Sequence, residues 1–179
     1  MTIRFVAWLL LLVGIGCAPQ KVLVRVDSYS SAAGIPRAAP VCFQEKADGT
    51  LSNQARHREL VAVCSSAARD VGINIVPEGT PACSSAHLSW RTTKGTVYNE
   101  GSTCFGEALC TNSNATYYGK IVGIGVIVSG TTVFESRADL STQNPDFTDT
   151  TAYVTCRAIF EEYPNRVANK RYSVAAPKK

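Results

Sequence analysis

Residues 117–129 read YYGKIVGIGVIVS and residues 132–140 read TVFESRADL, with Gly130 and Thr131 between them. The first run is apolar and rich in β-branched residues, and the second alternates apolar with polar. The pair therefore reads as the two strands of a hairpin, with Gly130-Thr131 as its predicted turn. A lone hairpin has no independent stability in water, so the flanking segments have to supply further strands and a cover.

Upstream, Ala86, Leu88 and Trp90 alternate with Ser85, His87 and Ser89, the pattern of a half-buried strand. Residues 21–27 (KVLVRVD) set Val22, Val24 and Val26 on one face. Residues 28–40 are rich in Ser, Ala, Gly and Pro and read as a loop, followed by a short strand at 41–43. Ser52-Asn53 offers an N-cap for a helix reaching Val71, with Leu60, Cys64, Ala67, Ala68 and Val71 on one stripe and Gly72 as its stop. Residues 73–76 read as a buried strand halted by Pro77, and residues 95–116 as a long loop.

Downstream, residues 141–149 form a polar loop with Asn144-Pro145 as turn chemistry. Thr148 or Thr150 can cap a second helix that sets Cys156, Ile159, Phe160 and Tyr163 on one face and stops at Pro164. Residues 171–174 add an edge strand. This order predicts an α+β fold: an antiparallel or mixed sheet of five to six strands with two helices packed on one face, as a single domain over residues 21–179.

The N-terminus has one positive charge, Arg4, then the apolar run 5–13 and the small residues Gly14 and Gly16, in the order of a signal peptide over residues 1–16. The apolar run is well short of the roughly twenty residues a spanning helix needs. Gly16 directly before Cys17 resembles a bacterial lipobox, in which the cysteine is acylated and becomes the mature N-terminus; Gly14 departs from the Leu that such motifs prefer. Residues 17–20 then form a lipidated N-terminus, and Ala18, which is not an acidic retention signal, implies the outer membrane facing the periplasm. Ordinary cleavage after Ala18 is the rival reading.

With Cys17 carrying lipid, Cys42, Cys64, Cys83, Cys104, Cys110 and Cys156 remain, and an even number in an exported chain implies disulfides. Cys104 and Cys110 flank a five-residue segment and form the favoured local pair. Cys64 and Cys156 lie on helix stripes, where either a helix–helix or a helix–sheet bridge is reasonable. The whole-chain net charge of +4 is mild and evenly spread, which argues against nucleic acid as a partner.

The run Ala158-Ile159-Phe160-Glu161-Glu162-Tyr163-Pro164 resembles the closing helix of uncharacterised bacterial lipoproteins of a domain-of-unknown-function type. That resemblance covers the order of elements over most of the mature chain, and actual residues only over about the last 30. It implies a small α/β envelope domain after a lipobox, similar to the N-terminal domain of periplasmic translocation proteins, without assigned catalytic residues. The six further cysteines depart from the family pattern.

Candidate sites are few. No Cys-x-x-Cys occurs, and His57 and His87 lie far from a zinc-finger spacing, so no metal is expected. Asp146 and Asp149 lack EF-hand spacing. Gly119, Gly123 and Gly125 sit inside a strand with no helix opening after them, which fails the context test for a dinucleotide loop and leaves close packing as their reading; no cofactor is expected. His57, between Arg56 and Arg58, reads as solvated surface. His87 falls on the polar side of its strand with Ser85 and Ser89, without the strained elbow of a serine hydrolase. Trp90, Tyr98, Tyr117 and Tyr118 read as core before they read as a glycan or peptide cleft.

These features point to a non-enzymatic, lipid-anchored envelope protein that binds another envelope component or serves as a structural part, with the membrane as partner through Cys17. The alternative is a small periplasmic hydrolase acting on cell-wall or lipid substrates through His87. An exposed sheet edge would serve a structural role as a docking strand.

Overall fold

A computed structural model describes residues 21–31, 35–45, 51–97, 103–104, 110–111 and 115–177; at 51–52, 96–97, 103–104, 110–111 and 115–116 only the backbone is described. The signal peptide, Cys17 and Tyr98 lie outside these residues. The elements are β1 (Lys21–Ser30), β2 (Val41–Phe43), α1 (Leu51–Asp70), β3 (Ser84–Val97), β4 (Thr103–Cys104), β5 (Cys110–Thr111), β6 (Ala115–Val128), β7 (Thr131–Thr142), α2 (Asp149–Glu162) and β8 (Val167–Ala175). Six strands form one mixed sheet in the order β2-β3-β6-β7-β1-β8, while β4 and β5 pair with each other. The fold is α+β, as the sequence predicts.

The central hairpin forms with its turn one residue earlier than predicted. Ser129 and Gly130 carry φ of 49° and 78°, and Val128 pairs with Thr131. Two positive φ values in a two-residue loop match the twist of the flanking strands, which frees Thr131 to open β7. The β2–β3 pair is parallel and is bridged by α1; the other neighbours in the sheet are antiparallel.

Several boundaries move. β1 runs on to Ser30 because Ser28 finds partners there: its hydroxyl donates to the Asn165 carbonyl at 2.8 Å and accepts from the Val167 amide at 3.0 Å. The β3–β6 ladder extends to Val97 and Ala115, shortening the predicted loop. Helix α1 begins at Leu51, so Ser52 and Asn53 lie in its first turn and are not its caps. The strand predicted over 73–76 reduces to one parallel bridge, Ile75 with Val41. Thr148 is the N-cap of α2, accepting from the Thr151 amide at 3.2 Å.

Both helices seal one face. Val24, Val26, Ala86, Val122, Ile124, Val126, Phe134 and Ala138 point inward from four strands to meet Leu60, Ala67, Ala68, Ile159 and Phe160. Edge-on ring pairs lock the centre: Phe43 with Phe160, and Phe134 with Tyr163 at 5.0 Å between centroids. Cys64 bonds Cys156, so the bridge that the sequence left open joins helix to helix; Cys42 bonds Cys83 beside the β2–β3 pair. β4 and β5 set Cys104 opposite Cys110 in backbone register, with the side chains outside the described residues.

Arg37 ties the two helix ends together. Its guanidinium donates to the carbonyls of Phe160, Glu161 and Tyr163 at the end of α2 and to that of Val71 just after α1, at 2.9–3.1 Å. These carbonyls lack intrahelical partners and carry the negative end of the helix dipole, so one cation satisfies both termini.

Two inward-facing groups run against their sequence setting. Lys120 shares the parity of Val122 and Ile124 and is fully buried; its ammonium donates to Thr92 Oγ1 and to the Pro145 carbonyl, holding the β7–α2 loop. Desolvation pulls its pKa below the ordinary lysine value, against the opposing pull of Asp146. His57, expected at the surface, is only 5% exposed, with Nε2 3.2 Å from the Gln44 carbonyl. It continues the Leu60–Cys64 stripe one turn toward the N-terminus, so helix phase outweighs the charge of its neighbours.

Candidate functional site

The strands present a second face, made of the alternate residues, and among the described residues no helix covers it. On β3 it carries Ser85, His87, Ser89, Arg91 and Thr93; on β6, Gly119, Ile121, Gly123, Gly125 and Ile127; on β7, Glu135, Arg137 and Asp139. Register lines these up in rows. His87 lies opposite Gly125, which lies opposite Glu135; the next row is Ser89, Gly123 and Arg137, and the next is Arg91, Ile121 and Asp139.

Because the middle strand of two of those rows contributes no side chain, the face has a trough. It is a cavity of about 710 Å³ with Gly123, Gly125, Ile121 and Ile127 along its floor. One wall is β3, with His87, Ser89 and Arg91, and the other is β7, with Glu135 and Arg137. Among the described residues, no hydrogen bond or ion pair engages the side chains of His87, Arg91, Glu135 or Arg137, whereas Asp139 is paired with Arg25 at 3.0 Å. The walls thus offer free donors and an acceptor over an apolar floor.

The three glycines of β6 do not have one explanation. A Cβ at Gly119 would stand 2.6 Å from Thr93 Oγ1, and one at Gly123 2.6 Å from Ser89 Oγ. Close cross-strand packing therefore accounts for those two, and it comes from the open face. Gly125 has an ordinary strand φ and open space above it, so packing does not require it. A glycine inside a strand costs stability and leaves nothing to pack, which marks Gly125 as the position where the trough is made.

The other predicted site residues disperse. Ser89 Oγ donates to the Gly123 carbonyl at 3.4 Å, and none of the hydrogen bonds among the described residues joins His87 to a serine hydroxyl or a carboxylate. Trp90 points to the sealed face, against Phe147 at 5.4 Å, as a core aromatic. Tyr117 and Tyr118 are half-buried at the end of the sheet. Asp149 pairs with Arg56 at 2.9 Å, and the Asp146 amide donates to Asn144 Oδ1 in a turn. Among the described residues, no three His, Cys, Asp or Glu side chains converge as metal ligands, and no helix is long and apolar enough to cross a membrane.

The trough leaves a signal in the sequence that close packing alone does not explain. Glycine at every second position of a strand empties one face of side chains, and the parity that puts Gly123 and Gly125 opposite Val122 and Ile124 shows which face.

No family model matches the chain, and no curated protein matches it. Solved structures do show likeness. A PelC dodecamer from Paraburkholderia phytofirmans aligns at 14% identity and a TM-score of 0.44, over 77% of this chain and 95% of that one. A PDZ domain protein from Parabacteroides distasonis aligns at 13% identity and a TM-score of 0.48, over 96% of this chain and 42% of that one. At these identities and scores, neither likeness carries function to this chain.

Proposed function

We propose that the chain is an exported lipoprotein of the bacterial envelope, held by acyl chains on Cys17 at the outer membrane, and that it works as a binding component through the open face of its sheet. The observation that carries this reading is the asymmetry of the sheet: one face is sealed under two bridged helices, and the other holds a trough of about 710 Å³ walled by unpaired polar side chains. A surface concavity with an apolar floor and a few convergent polar groups is the default form of a binding site. Two disulfides support an oxidising compartment, and several acyl chains give stable anchoring where one does not.

Crosslinking in living cells, followed by recovery of the chain from the membrane fraction, tests this. A single envelope partner is expected with the native chain and is lost when Cys17→Ser releases it from the membrane. Cys17→Ser leaving both membrane association and partner unchanged contradicts the anchored reading. Loss of function on His87→Ala with the partner retained would transfer support to the hydrolase.

A further inference from the structure

The strand registers place Lys21, the first described residue of β1, near one end of the sheet. Arg25 is level with Asp139 on β7 and Arg171 on β8, and through Asp139 with Ile121 and Arg91. Counting four residues back along β1 brings Lys21 level with Tyr117 on β6 and Gly95 on β3, beside Ala175, its direct partner on β8. Three residues separate Lys21 from Cys17, a reach of about 14 Å at full extension. An acyl chain on Cys17 would therefore hold this end of the sheet against the bilayer. The turn at Ser129-Gly130 stands at the other end, about 40 Å away along β6.

The chemistry of this end suits an anionic headgroup layer. Lys21 and Lys94 are exposed, and neither has an ion-pair partner among the described residues. Tyr117 is half-buried next to Gly95, an amphipathic ring of the kind that settles at a membrane surface. The acids nearby are partly occupied: Asp149 pairs with Arg56, and Asp146 faces the Lys120 ammonium. Two lysines, Lys178 and Lys179, follow Pro177 in the sequence a few residues beyond β8.

We propose that the end of the sheet carrying Lys21, Lys94 and Tyr117 is a membrane-contact surface that rests on anionic phospholipid headgroups. This rests on the lipid-anchored reading, and it adds an orientation to it. The floor of the trough runs from Ile121 to Ile127, four to ten residues beyond Tyr117 along β6, so the trough lies about 13–33 Å from the contact surface. It opens sideways, clear of the bilayer, where a second envelope component can reach it.

The test uses the full acylated chain in vesicles of phosphatidylcholine with 30% phosphatidylglycerol, doped with a phospholipid bearing a photoreactive headgroup (about one in a hundred). Mass spectrometry of the adducts should find them at Lys21, Lys94 and Tyr117, and not at residues 129–132. Adducts at the turn, or equally at both ends, overturn the proposal. An intact mass without acyl chains on Cys17 removes the anchored reading by itself. The contact surface then still faces its own test in the Cys17→Ser chain, where weaker adducts at the same end should depend on phosphatidylglycerol. Lys21→Glu with Lys94→Glu should cut that yield about tenfold or more. Adducts that ignore lipid charge and both substitutions also overturn it.

Discussion

On the sealed face of the sheet, Val24, Val26, Val122, Ile124 and Phe134 are buried under two helices joined by Cys64–Cys156. On the open face, the residues between them in the same strands are Leu23, Arg25, Ile121, Gly123 and Glu135, and Leu23 keeps 60% of its surface. Alternation of side chains along a strand gives each face its own composition without either constraining the other. Stability concentrates on one side, and the other is free to carry unpaired charges and a gap at Gly125. Substitutions on the sealed side should therefore cost stability, while replacing the unpaired side chains of the open side should change binding and leave stability nearly level.

The largest contrast is expected at the helix–helix bridge. Replacing Cys64 and Cys156 together by alanine opens a loop spanning 92 residues and should cost about 4–5 kcal/mol in the chain-entropy account. The overlapping Cys42–Cys83 loop makes the two bridges less than additive. Arg91→Ala with Arg137→Ala, on the open side, should stay within about 0.5 kcal/mol. Urea unfolding without reductant compares the two directly.

Next in size is an alkaline effect from the sealed core. Burial pushes the Tyr163 hydroxyl up from 10.0 to about 12. A folded value above the unfolded one means that the stability is complete below pH 10 and is lost as the pH rises toward 12, by roughly 2–3 kcal/mol for a gap of that size. Tyr163→Phe should remove that share of the alkaline loss. It should cost little at neutral pH, since the hydroxyl has no hydrogen-bond partner among the described residues. Unfolding curves at stepped pH check both statements.

Arg37→Met should cost about 1–3 kcal/mol, because solvent replaces only part of its bonds to four carbonyls. Hydrogen exchange should then rise at the C-terminal turns of both helices and not in β6. The smallest effect has the opposite sign. Gly125→Val meets open space in a strand and should stabilise by about 0.5–1 kcal/mol, whereas Gly119→Val meets Thr93 Oγ1 and should destabilise. Thermal melts of the pair separate a glycine needed for packing from one that is not.

The sealed face was legible in the sequence because burial writes itself into periodicity. Val22, Val24 and Val26 fixed β1, and Leu60, Cys64 and Ala68 fixed the inward side of α1. His57 is less legible, because its flanking arginines suggest surface while its phase with Leu60 turns it inward. Arg37 lies in a stretch read as loop, and its four acceptors come from two distant helix ends, so no local pattern announces it. The pairing of Cys64 with Cys156 needed the packing of α1 on α2. The trough was the least legible of all, since it is made by what Gly125 lacks and by walls from β3 and β7, 48 residues apart in the chain at His87 and Glu135.

The most direct test of a working open face is a photo-crosslinking residue in place of Ser89, in cells, in the native background and with Gly125→Val. The account predicts a defined envelope adduct that Gly125→Val abolishes while the melting temperature stays level or rises. An adduct that survives the filled trough, or one obtained equally from exposed positions on the helices, would contradict it.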